Sequence, residues 1–155
     1  MVRLEAILHP TDFSPSSDYA QHLAWSFARD HGARLIVVHV AAPPAVMYGE
    51  VVAPLAQAGY KDNAWKALRR LKWPDESVSV ELRVETGDPA HEILRVARDI
   101  PCDLIVIGTH GRTGLRRLLL GSVAEQVVRK ATCPVVTIKS LTQENQEYPE
   151  SMLDD

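Results

Sequence analysis

The chain has 155 residues, 46% of them apolar, and a formal charge of −3, which fits one globular domain with a full hydrophobic core. Five of its 20 acids (Glu144, Glu147, Glu150, Asp154, Asp155) fall after residue 139 with no base among them; 15 acids and 17 bases remain, a body of about +2, too weakly basic for a dedicated nucleic-acid face. No run approaches the ~18–20 apolar residues of a membrane span, and Met1-Val2-Arg3-Leu4-Glu5 leads straight into a strand without the form of a signal peptide, so the expected location is the cytoplasm, with neither nucleic acid nor membrane as partner.

The first strand is predicted at residues 6–9, Ala6-Ile7-Leu8-His9. Ser14 as N-cap and Pro15 at the first helical position open a helix, with Tyr19, Ala20, Leu23, Ala24, Phe27 and Ala28 as its inward stripe. His31-Gly32 ends it. A second strand covers residues 34–40. A loop containing Pro43-Pro44 follows, then a second helix ending near Lys72, its limits blurred by Gly59. The third strand is predicted at residues 78–84. Asp88-Pro89 caps a third helix with Ile93, Val96 and Ala97 inward. The fourth strand spans residues 103–107, the fourth helix about 122–131 with Val123, Val127 and Val128 inward, and the fifth strand 134–138.

Val/Ile/Leu-rich strands alternating with amphipathic helices predict an α/β fold: one doubly wound, five-stranded parallel sheet with helices on both faces. Residues 1–139 form the domain, and the acidic, apolar-poor segment 140–155 reads as an unstructured tail. With strand order 3-2-1-4-5, the loops after strands 1 and 4 flank the crevice where such sheets bind ligands.

The loop after strand 4 reads Gly108-Thr109-His110-Gly111, then nine residues, then Gly121-Ser122. Glycines let backbone N–H groups approach an oxyanion, and a helix N-terminus adds donors and a positive dipole end. Arg112, Arg116 and Arg117 lie between, with Arg112 placed best for a phosphate. The plainer reading, a tight turn with Ser122 as N-cap, accounts for Ser122 but not for the glycines and arginines. Asp12, just past strand 1, is either a turn acceptor for Ser14 or a carboxylate facing ribose or a Mg²⁺ held by phosphates. His9, His39 and His110 all fall at strand carboxyl ends, but without the spacing of a zinc motif; single histidines with backbone partners are the better reading. Cys102 and Cys133 precede neighbouring strands and read as small half-buried hydrophobes rather than a disulfide.

Three segments together resemble the universal stress protein family: Ile7-Leu8-His9-Pro10-Thr11-Asp12-Phe13-Ser14, Leu35-Ile36-Val37-Val38-His39-Val40, and the stretch from Cys102 through Gly114, Leu120-Gly121-Ser122-Val123-Ala124 and Ala131-Thr132-Cys133-Pro134-Val135. The resemblance covers about residues 3 to 139, and the Gly-x2-Gly-x9-Gly-Ser motif matches the subgroup that binds ATP. It implies that Gly108, Thr109, His110, Gly111, Arg112, Thr113 and Gly114, with Gly121, Ser122, Val123 and Ala124, wrap ribose and phosphates of ATP, ADP or AMP. Pro10, Thr11, Asp12 and Val40 would border adenine and ribose, with Mg²⁺ accompanying the nucleotide near Asp12. His9 departs from the family, which usually has a small or branched apolar residue there. The resemblance also implies a homodimer through the fifth strand (Val135, Val136, Thr137, Ile138), whose apolar edge would otherwise be a liability.

The function implied is ATP-dependent regulation in a stress response, with unidentified protein partners and at most slow hydrolysis, because no residue stands out as a general base. Adenylyl or phosphoryl transfer on the same fold is the alternative. A phosphoacceptor receiver using Asp12, Asp88 and Lys139 lacks its acidic pair, and neither a dinucleotide fingerprint nor a kinase-type P-loop is present.

Overall fold

A computed structural model describes residues 2–42, 54–109 and 120–139, with backbone alone for 54–58. Nine elements alternate along them: β1 (Ala6–Pro10), α1 (Pro15–His31), β2 (Arg34–Ala41), α2 (Pro54–Arg69), β3 (Val80–Thr86), α3 (Pro89–Asp99), β4 (Leu104–Gly108), α4 (Ser122–Lys130) and β5 (Val135–Ile138). All pairings are parallel, in the order β3-β2-β1-β4-β5. The predicted architecture and strand order are therefore those observed. His110 to Leu119, the loop at 43–53 and the acidic tail lie outside the described residues.

The sheet divides the core in two. Ile7, Leu35, Val37, Leu104 and Val106 pack with Ala20, Ala24, Trp25 and Leu68 on the face covered by α1 and α2. Leu8, Ile36, Val38, Ile105 and Ile107 pack with Ile93, Val96, Ala124 and Val127 on the face covered by α3 and α4. Alternate residues of each central strand thus serve opposite layers, which is why these strands read as unbroken apolar runs.

Local signals set several boundaries. Ser14 caps α1 by accepting from Ser17 N–H, and Gly32, at φ +66°, ends it in the left-handed conformation that glycine adopts without a Cβ clash. Asp88 caps α3 in the same way, accepting from His91 N–H at 2.9 Å. The third strand begins at Val80 rather than 78: Asp75 Oδ1 accepts from Ser77 N–H at 2.7 Å and holds a turn, so Val78 is buried as an anchor ahead of the strand. Helix α2 ends at Arg69, short of Lys72.

Two positions assigned to the core are exposed, Tyr19 at 46% and Val128 at 44%. The buried residues of α1 are Ser16, Ser17, Ala20, Gln21, Ala24, Trp25 and Ala28, a set that leaves Tyr19 outside. It includes Gln21, whose Nε2 donates to Lys72 O at 3.0 Å. An apolar count overlooks such a paired amide and pulls the stripe toward the tyrosine. In α4, Ala124 and Val127 are the buried residues, and Val128 faces outward one position further round. Cys102 and Cys133 are free, half-buried thiols packed against the second core layer; burial pushes Cys102 up to about 11.

Candidate crevice at the strand ends

A cavity of about 310 Å³ lies at the carboxyl ends of β1, β2 and β4, at the low end of the range of small-molecule sites. Pro10 of β1, Val38, His39 and Val40 of β2, and Ile107 and Gly108 of β4 form its strand wall. Thr11, Asp12 and Ser17 come from the β1–α1 turn and the first turn of α1. Pro89 and Ile93 come from α3, and Thr109, Gly121, Ser122, Val123 and Ala124 from the β4–α4 connection. The wall thus combines aliphatic side chains with hydroxyls and one carboxylate.

The β1–α1 turn is held from several sides. Thr11 N–H donates to Val38 O at 2.9 Å, continuing the ladder with β2. Thr11 Oγ1 accepts from Phe13 N–H at 3.1 Å. Asp12 Oδ1 accepts from Ser14 N–H at 3.0 Å and from Ser17 Oγ–H at 2.8 Å. His39 Nδ1–H donates to Thr11 O at 2.8 Å, and its ring lies 4.7 Å from that of Phe13. Phe13 sits at φ +62°, a conformation costing a non-glycine residue about 1–2 kcal/mol, which these contacts offset. Burial pushes the Asp12 carboxyl upward, but the hydrogen bonds from Ser14 and Ser17 outweigh it and hold the group below the ordinary range. Asp12 is therefore a turn acceptor and a crevice residue at once.

The β4–α4 side is built differently. Gly121 N–H donates to Thr109 O, tying the two ends of the connection together. Gly121 is the N-cap of α4 and has no side chain to accept from the first-turn N–H groups. Ser122 is the first helical residue and makes no capping bond, so the reading of Ser122 as N-cap is incorrect. Gly108 has a reason the anion argument did not supply: a Cβ there would stand 2.5 Å from Ser16 Oγ, 2.8 Å from Ser16 C and 2.9 Å from Ser17 N. The glycine lets the first turn of α1 press against the end of β4.

Of the residues singled out in the sequence, Pro10, Thr11, Asp12, Val40, Gly108, Thr109, Gly121, Ser122, Val123 and Ala124 all line this one cavity. His110, Gly111, Arg112, Thr113 and Gly114 fall outside the described residues. Sequence reasoning missed Ser17, Val38, Pro89, Ile93 and Ile107. The apolar ones read simply as core, and Pro89 as a helix starter; their shared signal is position, each near a strand's carboxyl end or a following helix start. His39, at the carboxyl end of β2, also belongs to the wall. His9 and His39 each bond a backbone carbonyl through Nδ1.

A family model described as the universal stress protein family matches residues 4–139. A universal stress protein of Methanocaldococcus jannaschii is 37% identical over 137 residues, spanning 86% of this chain and 81% of that protein. The solved structure of universal stress protein UspA from Lactobacillus plantarum superposes with a TM-score of 0.78 at 27% identity, covering 89% of this chain and 99% of that one. A universal stress protein solved in complex with cAMP superposes with a TM-score of 0.62 at 25% identity, covering 90% and 100%.

Proposed function

The chain belongs to the universal stress protein family, and on that premise we propose that it is a regulatory protein of the stress response that binds ATP with Mg²⁺ in the crevice. The observation that carries this reading is the N-terminus of α4. It opens on the cavity with Gly121 as an N-cap that has no side chain, and among the described residues no side chain caps it, which suits its first-turn donors to a ligand. The relative solved with cAMP supports a purine nucleotide as the class of guest.

In this reading the aliphatic wall (Val38, Val40, Ile93, Ile107) takes the base, and Thr11 and Asp12 face the ribose. The backbone of Gly108 to Gly114 and of Ser122 to Ala124 meets the phosphates. Asp12, ionised at neutral pH, offers a carboxylate to a phosphate-bound Mg²⁺, which would neutralise phosphate charge. Binding acts by linkage: ATP stabilises the closed crevice and biases the protein toward partner binding through its differential affinity for two states. Hydrolysis is slow at most. Residues 1–139 form the functional domain, the acidic tail follows it, and the protein works in the cytoplasm.

The two sheet edges support a homodimer through β5. On β3, Glu81, Arg83 and Glu85 engage one another, Arg34 and Arg95 in ion pairs, a charged edge that resists pairing. On β5, Val135, Val136, Thr137 and Ile138 carry no charge and are half-buried in one copy. A second copy of this strand would complete their burial.

Calorimetric titration with ATP, AMP and GTP, each with and without Mg²⁺, tests the proposal. Adenine nucleotides bind in preference to GTP, and ATP at a hundredfold excess over Kd raises stability by about 2.7 kcal/mol. A melting curve unmoved by millimolar ATP refutes it.

A further inference from the structure

β1 is the central strand of the sheet, and it ends in a proline, which cannot donate to a ladder and is normally confined to edges. The pairing shows which bond is lost. Ile105 N–H turns toward β5, donating to Pro134 O at 3.0 Å, so the Leu104 and Val106 carbonyls face β1. Leu8 lies opposite Ile105, which sets Leu8 N–H against the Leu104 carbonyl. Two residues on, the donor facing Val106 O would be the N–H of residue 10. That residue is Pro10, and the β1–β4 pairing stops at Leu8.

The Val106 carbonyl is nevertheless satisfied. His9 Nδ1 lies 2.9 Å from it, fully buried, and since a carbonyl only accepts, the imidazole carries its proton on Nδ1. His9 Nε2 is buried with no hydrogen-bond partner among the described residues. Burial lowers the His9 pKa to about 4, against the opposing pull of the bond to Val106, so the ring is neutral at physiological pH.

We propose that His9 is a positioning residue for the nucleotide crevice: its imidazole supplies the donor that Pro10 gives up, clamping β1 to β4 at the point where both strands run into the cavity wall. Pro10, Thr11 and Asp12 follow immediately on one side, and Ile107, Gly108 and Thr109 on the other, and all six line the cavity. A regular backbone bond would continue the flat ladder into the crevice. A side-chain donor ends the ladder there without leaving a carbonyl orphaned, so the strand ends can diverge at a fixed separation. The functional half of this inference rests on the proposed nucleotide site; the structural half does not.

The test is a rescue cycle. His9→Leu keeps apolar volume but removes the donor, and weakens ATP binding by about tenfold, with a lower urea midpoint. His9→Asn, whose amide N–H sits near the position of Nδ1, stays within about threefold of the parent. Pro10→Ala restores a backbone N–H, so His9→Leu/Pro10→Ala binds within about threefold of Pro10→Ala alone and recovers the midpoint. Absence of rescue in the double variant, or unchanged binding in His9→Leu, overturns the proposal. Long-range ¹H–¹⁵N correlation of the ligand-free protein shows His9 protonated on Nδ1 and bare on Nε2; the opposite tautomer or an imidazolium overturns it equally. If the parent binds no nucleotide, the nucleotide reading fails, while tautomer and midpoint rescue still decide the clamp.

Discussion

Two helix N-termini flank the same crevice and are finished in opposite ways. At α1 the chain supplies its own acceptors: Ser14 Oγ takes Ser17 N–H at 3.3 Å, and Asp12 Oδ1 takes Ser14 N–H and the Ser17 hydroxyl. A carboxylate thus already sits at the positive end of the helix dipole. At α4 the N-cap is Gly121, with no side-chain capping bond. The difference bears on the proposed site: the first terminus has its negative charge built in and serves rigidity, whereas the second, with no side-chain cap among the described residues, is the one the proposed nucleotide would meet.

Gly108 gives the sharpest break in this comparison, because it seats the finished terminus. With Ser16 and Ser17 backbone atoms 2.8 and 2.9 Å from the Cβ position, Gly108→Ala forces α1 off β4. A loss of about 2–3 kcal/mol follows, read from urea denaturation. A variant as stable as the parent would mean that the first turn of α1 is not pressed against this strand.

Converting the open terminus into a copy of the finished one gives the next effect. Gly121 has φ −67°, which any residue adopts, so Gly121→Asp places a capping carboxylate on α4. Folding stability rises by a few tenths of a kcal/mol, roughly the margin of Asp over Gly at an N-cap. ATP affinity falls by about tenfold or more, because like charges now meet at the helix end. Opposite signs in calorimetry and thermal melting support the comparison; ATP binding that survives the new charge breaks it.

The smallest effects come from the paired serines. Ser14→Ala removes a cap and costs about 1 kcal/mol. Ser122→Ala changes stability by less than about 0.5 kcal/mol, since the hydroxyl makes no capping bond, yet weakens ATP by a few fold. Equal destabilisation by the two substitutions would erase the distinction between the termini.

Much of the fold was legible because its signals are local. Ser14, Gly32 and Asp88 mark helix ends through bonds spanning three or four residues, and the β/α alternation points to a parallel sheet with right-handed crossovers. The errors at Tyr19 and Val128 come from counting apolar residues on a helix without knowing which polar ones, such as Gln21, find a buried partner. The candidate site was legible on its loop side, where glycines and a hydroxyl break the regular pattern. It was silent at Ile93 and Ile107, which look like any core positions, and at Pro89, which looks like any helix starter.

Composition and periodicity alone pointed to a doubly wound α/β fold with a parallel sheet and marked the loops after β1 and β4 by their residues, since each of these signals acts within a few residues; the order β3-β2-β1-β4-β5 is a property of the assembled sheet. Tertiary structure alone decided that Gly108 makes room for Ser16, that α4 begins on Gly121 without a side-chain cap among the described residues, and that His9 reaches the Val106 carbonyl, 97 residues away. The physical reason is the same in each case. Steric room and hydrogen-bond satisfaction are properties of atoms brought together by the sheet, and residues far apart in the chain carry no mark of the neighbour they will meet.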